Sequence, residues 1–291
     1  MRYPYYPGCT LYSKAKNLDR CARKAAALVG LELEEMPSWN CCGAIFNTGS
    51  DDIAGQVGPV RNLAKASQQG EKLVTLCAAC YNVLVRAQDR LNAPGNEVER
   101  QRILEFVDER LVRDVKVVHY LQVLKDEMGM EHIRSRVVKP LNNLKVASYY
   151  GCLMVRPREV LKFDDPENPT VMDELISALG GEPVRFDFKT ECCGGYLVVN
   201  RRTVAEECSL HIVENARDWG AELIVTTCPL CQYNLEVSQI ASTGKGKAKE
   251  VMPVLYFTQL LGLALGLEKK ELGFEDNKLS PVEFLTAKGL L

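Results

Sequence analysis

Cysteine is the residue through which this chain can do chemistry. Twelve of its 291 residues are Cys, and ten of them fall into one pattern written twice. In the first copy, 31 residues separate Cys9 from the adjacent pair Cys41-Cys42, and 34 more lead to Cys77-Ala78-Ala79-Cys80. In the second, 39 residues separate Cys152 from Cys192-Cys193, and again 34 lead to Cys228-Pro229-Leu230-Cys231. A Gly stands directly behind each pair, Gly43 and Gly194. Five thiolates gathered at one place repel one another and need cations. Soft thiolate ligands select zinc, copper(I) or iron–sulfur clusters. Structural zinc takes four ligands in a tetrahedron, which leaves one member of each adjacent pair over, and neighbouring side chains tend to diverge. Cubane clusters also use four cysteines. Five per copy favour a multi-iron cluster with an extra or bridging thiolate; zinc in one site is the alternative.

A disulfide framework is the competing use of so many cysteines. The first residues, Met1-Arg2-Tyr3-Pro4, lack the apolar run of a secretory signal. No stretch reaches the ~18 apolar residues of a membrane span; the best attempt, Val254 to Leu267, is broken by Thr258, Gln259, Gly262 and Gly266. The expectation is therefore a cytoplasmic protein, where thiols stay reduced and CxxC pairs bind metal or do redox chemistry. A net charge of −2 with 25% charged residues gives no electrostatic footprint for nucleic acid.

The elements that must position these cysteines alternate strand and helix in both halves. Strands are expected at Tyr3–Tyr6, Leu31–Met36 and Leu73–Leu76, and helices at Lys14–Gly30, Gly55–Gly70 and Tyr81–Leu91. In the second half the strands are Val146–Tyr150, Val184–Phe188 and Leu223–Val225, and the helices Val171–Leu179 and Thr203–Trp219, with another beginning at Pro229. The segment from Val117 to Leu124 repeats as Val254 to Leu261. The first half carries an extra charged helical stretch, Glu97 to Arg113. The second carries a long loop, Arg156 to Pro169. Ser242 to Lys249 reads as an exposed loop with Lys245, Lys247 and Lys249 as solubilising charges. The expected fold class is α/β: two duplicated parallel-sheet halves, residues 1–140 and 141–291, related by pseudo-two-fold symmetry. Every cysteine group follows a strand end, where ligands of such sheets bind.

These residues carry a resemblance. Two copies of the pattern resemble the cysteine-rich CCG domain, and two copies in one chain are similar to the B-type subunit of heterodisulfide reductase. The likeness runs from Tyr5-Tyr6-Pro7-Gly8-Cys9 to Leu261-Gly262-Leu263-Ala264-Leu265-Gly266. The resemblance implies two noncubane [4Fe-4S] clusters. One would be held by Cys9, Cys41, Cys42, Cys77 and Cys80, the other by Cys152, Cys192, Cys193, Cys228 and Cys231. It also implies a small-molecule disulfide, such as that of coenzyme M and coenzyme B, split to two thiols between the clusters, each supplying one electron. The implied partners are a ferredoxin-like iron–sulfur subunit of the C type and a flavin subunit of the A type. The opening Tyr5 to Cys9, and Gly43-Ala44 behind the first pair, resemble subunits from bacteria and sulfur metabolism more than those of methanogenesis. The identity of the disulfide stays open. An electron-relay subunit and a zinc scaffold are the other two readings.

The remaining candidates are plainer. His119 could protonate a leaving thiolate, or simply end a helix. Arg156 and Arg158 could meet an anionic substrate, or belong to a surface loop held by Asp164 and Asp165. Cys21 and Cys208, outside the pattern, read as buried core thiols. Glu207, His211 and Glu214 read as a solvated helix face. Gly43, Gly194 and Gly195 are expected to let backbone approach sulfur and offer it N–H groups.

Overall fold

The structure is a computed structural model and describes residues 1–44, 53–244 and 251–291. Its framework is two four-stranded sheets. The first contains β1 (Arg2–Tyr6), β2 (Glu32–Glu35), β3 (Lys72–Thr75) and β4 (Lys116–His119), in the order β2-β1-β3-β4. The second contains β5 (Lys145–Tyr149), β6 (Glu182–Val184), β7 (Leu223–Thr226) and β8 (Val254–Tyr256), in the order β6-β5-β7-β8. All six pairings are parallel. The duplicated α/β architecture is therefore as expected, with the same strand order in each half. The chain moves outward in opposite senses from β1 and β3, and again from β5 and β7. That opens a crevice at the strand ends where the order reverses.

Burial explains the strand sequences. β7, Leu-Ile-Val-Thr, is covered on both faces and buried throughout, and β5 is buried from Val146 onward. Apolar runs without alternation are what covered parallel strands require. The helix Lys16–Leu28 shows the complementary pattern, burying Leu18, Cys21, Ala22, Ala25 and Ala26 along one stripe.

The halves grip each other reciprocally. The helix Phe257–Ala264, which comes after β8 and is buried all round, packs on Lys16–Leu28 of the first half. Thr258 Oγ1 donates to Leu18 O at 3.2 Å across that contact. In the other direction, the turns after β4 pack on the helix Val171–Ala178, where Lys125 meets Glu174 at 2.8 Å. Residues 137–144 carry no helix or strand and connect the halves, and the N–H groups of Val138 and Lys139 both donate to Ala264 O.

Four details differ from expectation. The expected helix Lys14–Gly30 is observed as Lys16–Leu28, and a separate, unexpected helix Gly8–Ser13 precedes it and carries Cys9. β6 ends at Val184 rather than running to Phe188, because the next backbone groups are taken elsewhere. Asp187 N–H donates to Asn215, and Lys189 O accepts from Tyr150 and Gly151. The helix Pro229–Gly244 continues through Ser242, which is buried, so the expected loop does not begin there. Lys245, Lys247 and Lys249 lie outside the described residues. Cys208 is half-buried, since it sits at the edge of a core face formed by Ala205, Ser209, Ile212 and Ala216.

Candidate metal centres

Each quintet of cysteines comes together at the strand ends of its own sheet. Cys9 opens the helix after β1, Cys77 comes just after β3, and Cys80 lies one turn into the helix Ala78–Asn92. Cys9 Sγ is 3.4 Å from Cys41 Sγ, and Cys42 Sγ is 3.4 Å from Cys80 Sγ. Cys80 also meets Cys77, which joins the five into one chain of contacts. In the second half Cys152 meets Cys192, Cys193 Sγ lies 3.6 Å from Cys231 Sγ, and Cys231 meets Cys228. Among the described residues no three Cys, His, Asp or Glu side chains surround a single point as ligands of one ion. None of the twelve cysteines is bridged.

The same devices hold both quintets. Tyr6 donates to Asn40 O, just before Cys41, at 2.7 Å, and Tyr149 donates to Glu191 O, just before Cys192, at 2.8 Å. A buried phenol at each strand end thereby fixes the loop bearing the adjacent pair. Gly8 (φ +75°) and Gly151 (φ +65°) hold the backbone against sulfur. A Cβ there would sit 3.0 Å from Cys80 Sγ or 3.1 Å from Cys231 Sγ. Sequence reasoning gives these four residues no role of their own, although their matching places before Cys9 and Cys152 are a usable signal. The glycines behind the pairs act as expected. Gly43 N–H points to Cys41 Sγ at 3.5 Å, and Gly195 N–H to Cys193 Sγ at 3.4 Å. Gly194 has a second reason: a Cβ would lie 2.6 Å from Ala205 Cα.

Crowded sulfurs perturb one another. Contacts with Cys42 and Cys77, reinforced by burial, hold the Cys80 thiol far above its ordinary range. Contacts with Cys41 and Cys80 hold Cys42 down to about 4, and contact with Cys152 holds Cys192 down to about 6. Only some members of each quintet can be ionised together without a cation, so this donor set fits a group that brings several positive charges.

The two quintets meet across a cavity of about 520 Å³ between the halves. Cys77 and Cys228 both line it, with Tyr196, Tyr256, Pro229 and Leu230. Two hollows of about 690 and 720 Å³ elsewhere touch no cysteine of the pattern. The cavity lies at one of the two pseudo-symmetric seams between the halves, where Thr10, Lys14, Tyr233 and Glu236 also line it. On the other side Asn82 Nδ2 donates to Leu153 O and Arg156 O, and Tyr81 donates to Leu161 O. Phe163 fills the remaining space, edge-on to Tyr81, His119 and Tyr150.

The other candidates fall outside the cavity. His119 is fully buried. Its Nε2 is 2.8 Å from Leu76 O and its Nδ1 accepts from Leu121 N–H, so both nitrogens are engaged at a helix start. Burial lowers its pKa to about 4, leaving the ring neutral. Arg156 donates to Thr190 O at 3.0 Å and pairs with Glu167 at 3.3 Å. Arg158 is exposed; Asp164 and Asp165 cap loop N–H groups, which together with the nearby Arg158 hold the Asp165 carboxyl below its ordinary range. Cys21 is buried and donates to Leu272 O at 3.2 Å, with burial pushing its thiol up to about 12. Glu207, His211 and Glu214 are exposed.

Residues 3–85 and 146–236 each match the model of the cysteine-rich domain CCG. The chain belongs to the CCG cysteine-rich domain family. This CCG protein is also similar to several known chains over nearly its whole length. It is 35% identical to the 8-methylmenaquinol:fumarate reductase membrane anchor subunit of Wolinella succinogenes, covering 94% of this chain and 96% of that one. It is 30% identical to the B-type subunit of the ferredoxin/F420H2-dependent CoB–CoM heterodisulfide reductase of Methanosarcina acetivorans, covering 96% and 94%. It is likewise 30% identical to a protein of Archaeoglobus profundus described as like the heterodisulfide reductase B-type subunit, covering 93% of each. The CCG protein is thus a homologue of the B-type subunit of heterodisulfide reductase. Its fold is shared with a hypothetical protein from Helicobacter pylori, at a TM-score of 0.72 and 15% identity, over 94% of this chain and 51% of that one. Among the described residues no helix is long and apolar enough to cross a membrane.

Proposed function

We propose that this CCG protein is the iron–sulfur subunit of a heterodisulfide reductase-like complex, in which a small-molecule disulfide is reduced to two thiols between two metal centres. Cys9, Cys41, Cys42, Cys77 and Cys80 would hold one noncubane [4Fe-4S] cluster. Cys152, Cys192, Cys193, Cys228 and Cys231 would hold the other. The observation that carries the reading is that Cys77 and Cys228, one from each quintet, line the same cavity. A disulfide accepts two electrons and has two ends. When bound, the clusters supply those electrons, one from each.

The chain's own residues do the rest. Tyr6 and Tyr149 hold the loops of the adjacent pairs, and the N–H groups of Gly43 and Gly195 support sulfur charge. Electrons would arrive from an iron–sulfur subunit of the C type and a flavin subunit of the A type. Clustered thiols of this number suit the reducing cytoplasm.

One observation favours a second substrate for the same site. The 35%-identical relative is named for 8-methylmenaquinol, and the cavity wall carries Tyr196, Tyr233, Tyr256 and Leu230, an aromatic lining suited to a quinone ring. Anaerobic titration separates the two. Pre-reduced protein should be reoxidised by the disulfide of coenzymes M and B on the first reading, and by a water-soluble naphthoquinone on the second. Reoxidation by neither would leave an electron relay.

A further inference from the structure

One buried acid in the cavity wall has no part in holding cysteine. Glu236 lies five residues behind Cys231 on the helix Pro229–Gly244. It is 1% exposed and lines the cavity together with Cys77 and Cys228. The residue five behind Cys80 in the first half is Val85, so the repeated cysteine framework does not require an acid here. Its carboxyl oxygens accept from the N–H groups of Lys278, at 3.0 Å, and Leu279, at 3.3 Å. Those bonds favour the anion, but burial outweighs them and moves the carboxyl up to about 7. The charged and titratable groups around it come from four elements. Lys278 and Asp276 lie on the C-terminal segment, and Lys14 lies on the helix end of the first half. Tyr256 closes β8, and Tyr233 belongs to its own helix, with Cys228 just before that helix begins. Lys14, Asp276 and Lys278 are exposed, so they form a charged mouth with Glu236 behind it.

We propose that Glu236 exchanges a proton between solvent at this mouth and the substrate reacting in the cavity. The inference rests on the proposed function, because it needs a two-electron, two-proton couple between the quintets. For a disulfide, RSSR′ + 2e⁻ + 2H⁺ gives RSH + R′SH. The S–S bond breaks with two electrons, which the iron–sulfur groups that the two quintets would hold would supply. Glu236 gives one proton to one sulfur, and solvent gives the other. The Glu236 carboxylate then recovers its proton from water at the mouth. For a quinol the sense reverses: QH₂ gives Q + 2e⁻ + 2H⁺, the electrons would pass to the groups that the quintets would hold, the Glu236 carboxylate takes one proton and solvent takes the other. A carboxyl poised near neutral pH serves either direction.

The experiment is infrared difference spectroscopy and turnover on the iron-loaded protein and its Glu236→Gln and Glu236→Asp variants. The wild type should show a carboxyl band that titrates with a midpoint near pH 7. That band should vanish in E236Q and move in E236D, with iron content unchanged in both. Reduction of the coenzyme M–coenzyme B disulfide should fall as pH rises through about 7, whereas oxidation of a naphthoquinol should fall as pH drops through it. E236Q should slow the reaction on the order of 100-fold and flatten the profile. A residue that merely tethers the C-terminal segment would change stability without moving that profile. A carboxyl band near pH 7 that survives in E236Q, no such band in the wild type, or an E236Q rate and pH profile like the wild type's, would overturn the role of Glu236 while the iron centres stand. Wild-type protein without iron would overturn both this inference and the function beneath it.

Discussion

The two seams between the halves are built from equivalent parts and end up different. In each, the helix behind a CxxC faces the helix opened by the lone cysteine of the other half. The helix Ala78–Asn92 meets Cys152–Val155 directly, and Asn82 and Tyr81 bond to the far backbone. The helix Pro229–Gly244 and the helix Gly8–Ser13 instead leave the cavity between them, with Tyr233, Glu236, Thr10 and Lys14 in its wall. The insertion after Cys152 makes the difference, because it delivers Leu161 and Phe163 to one seam only. Duplication thus supplies two cysteine quintets, and a local asymmetry leaves a cavity at one seam, lined by Cys77 from one quintet and Cys228 from the other. His119 and Tyr256 show the same divergence at one repeated position. In both, the backbone N–H is capped by a Gln three residues on, at 2.8 and 3.0 Å. The imidazole is sealed behind Phe163, while Tyr256 contributes to the cavity wall.

Substitutions can break this comparison in order of decreasing effect. Cys42→Ser and Cys193→Ser should each abolish one centre and leave the other, so iron per chain should fall by about half in either. Retention of full iron content would count against five-cysteine ligation. Phe163→Ala should then open the sealed seam at a cost of about 3–5 kcal/mol in chemical denaturation. Tyr256→Phe, at the open seam, should cost less than about 1 kcal/mol. Comparable losses would show that the seams do not differ as described.

His119 should make the sealed side sensitive to acid. Its folded pKa of about 4 lies below the ordinary 6.5, so the unfolded chain takes up the proton first. Its contribution is fully present above pH 6.5 and is lost as pH falls toward 4, by about 3 kcal/mol in all. His119→Gln should remove that part of the pH dependence, read from denaturation midpoints between pH 7 and 4. Gly194→Ala should cost about 1–3 kcal/mol, since the new methyl group meets Ala205 at a positive φ. Arg156→Ala should cost at most about 1 kcal/mol, because its pairing with Glu167 is largely exposed.

Much of the site was legible because strand ends and cysteines coincide. A parallel sheet brings the residues just past its strands to one edge, so Cys9, Cys41-Cys42 and Cys77 had to converge once the strands were placed. The glycines behind the pairs were readable for the same reason. The hidden features depend on contacts with no sequence period. Tyr6 and Tyr149 look like strand residues until their hydroxyls find the carbonyls of Asn40 and Glu191. β6 stops early because Asn215, far along the chain, takes the N–H of Asp187. Glu236 is an ordinary polar residue of a helix until the C-terminal segment folds over it. The insertion at 156–169 reads as a polar loop, yet its Leu161 and Phe163 are buried in the packed seam.

Whether the quintets hold iron is best decided by anaerobic purification with iron, zinc and acid-labile sulfide analysis, and Mössbauer spectroscopy of the same sample. The account predicts about eight iron atoms per chain, divided between two equivalent centres, with matching sulfide. One zinc per half, with neither iron nor sulfide, would contradict it.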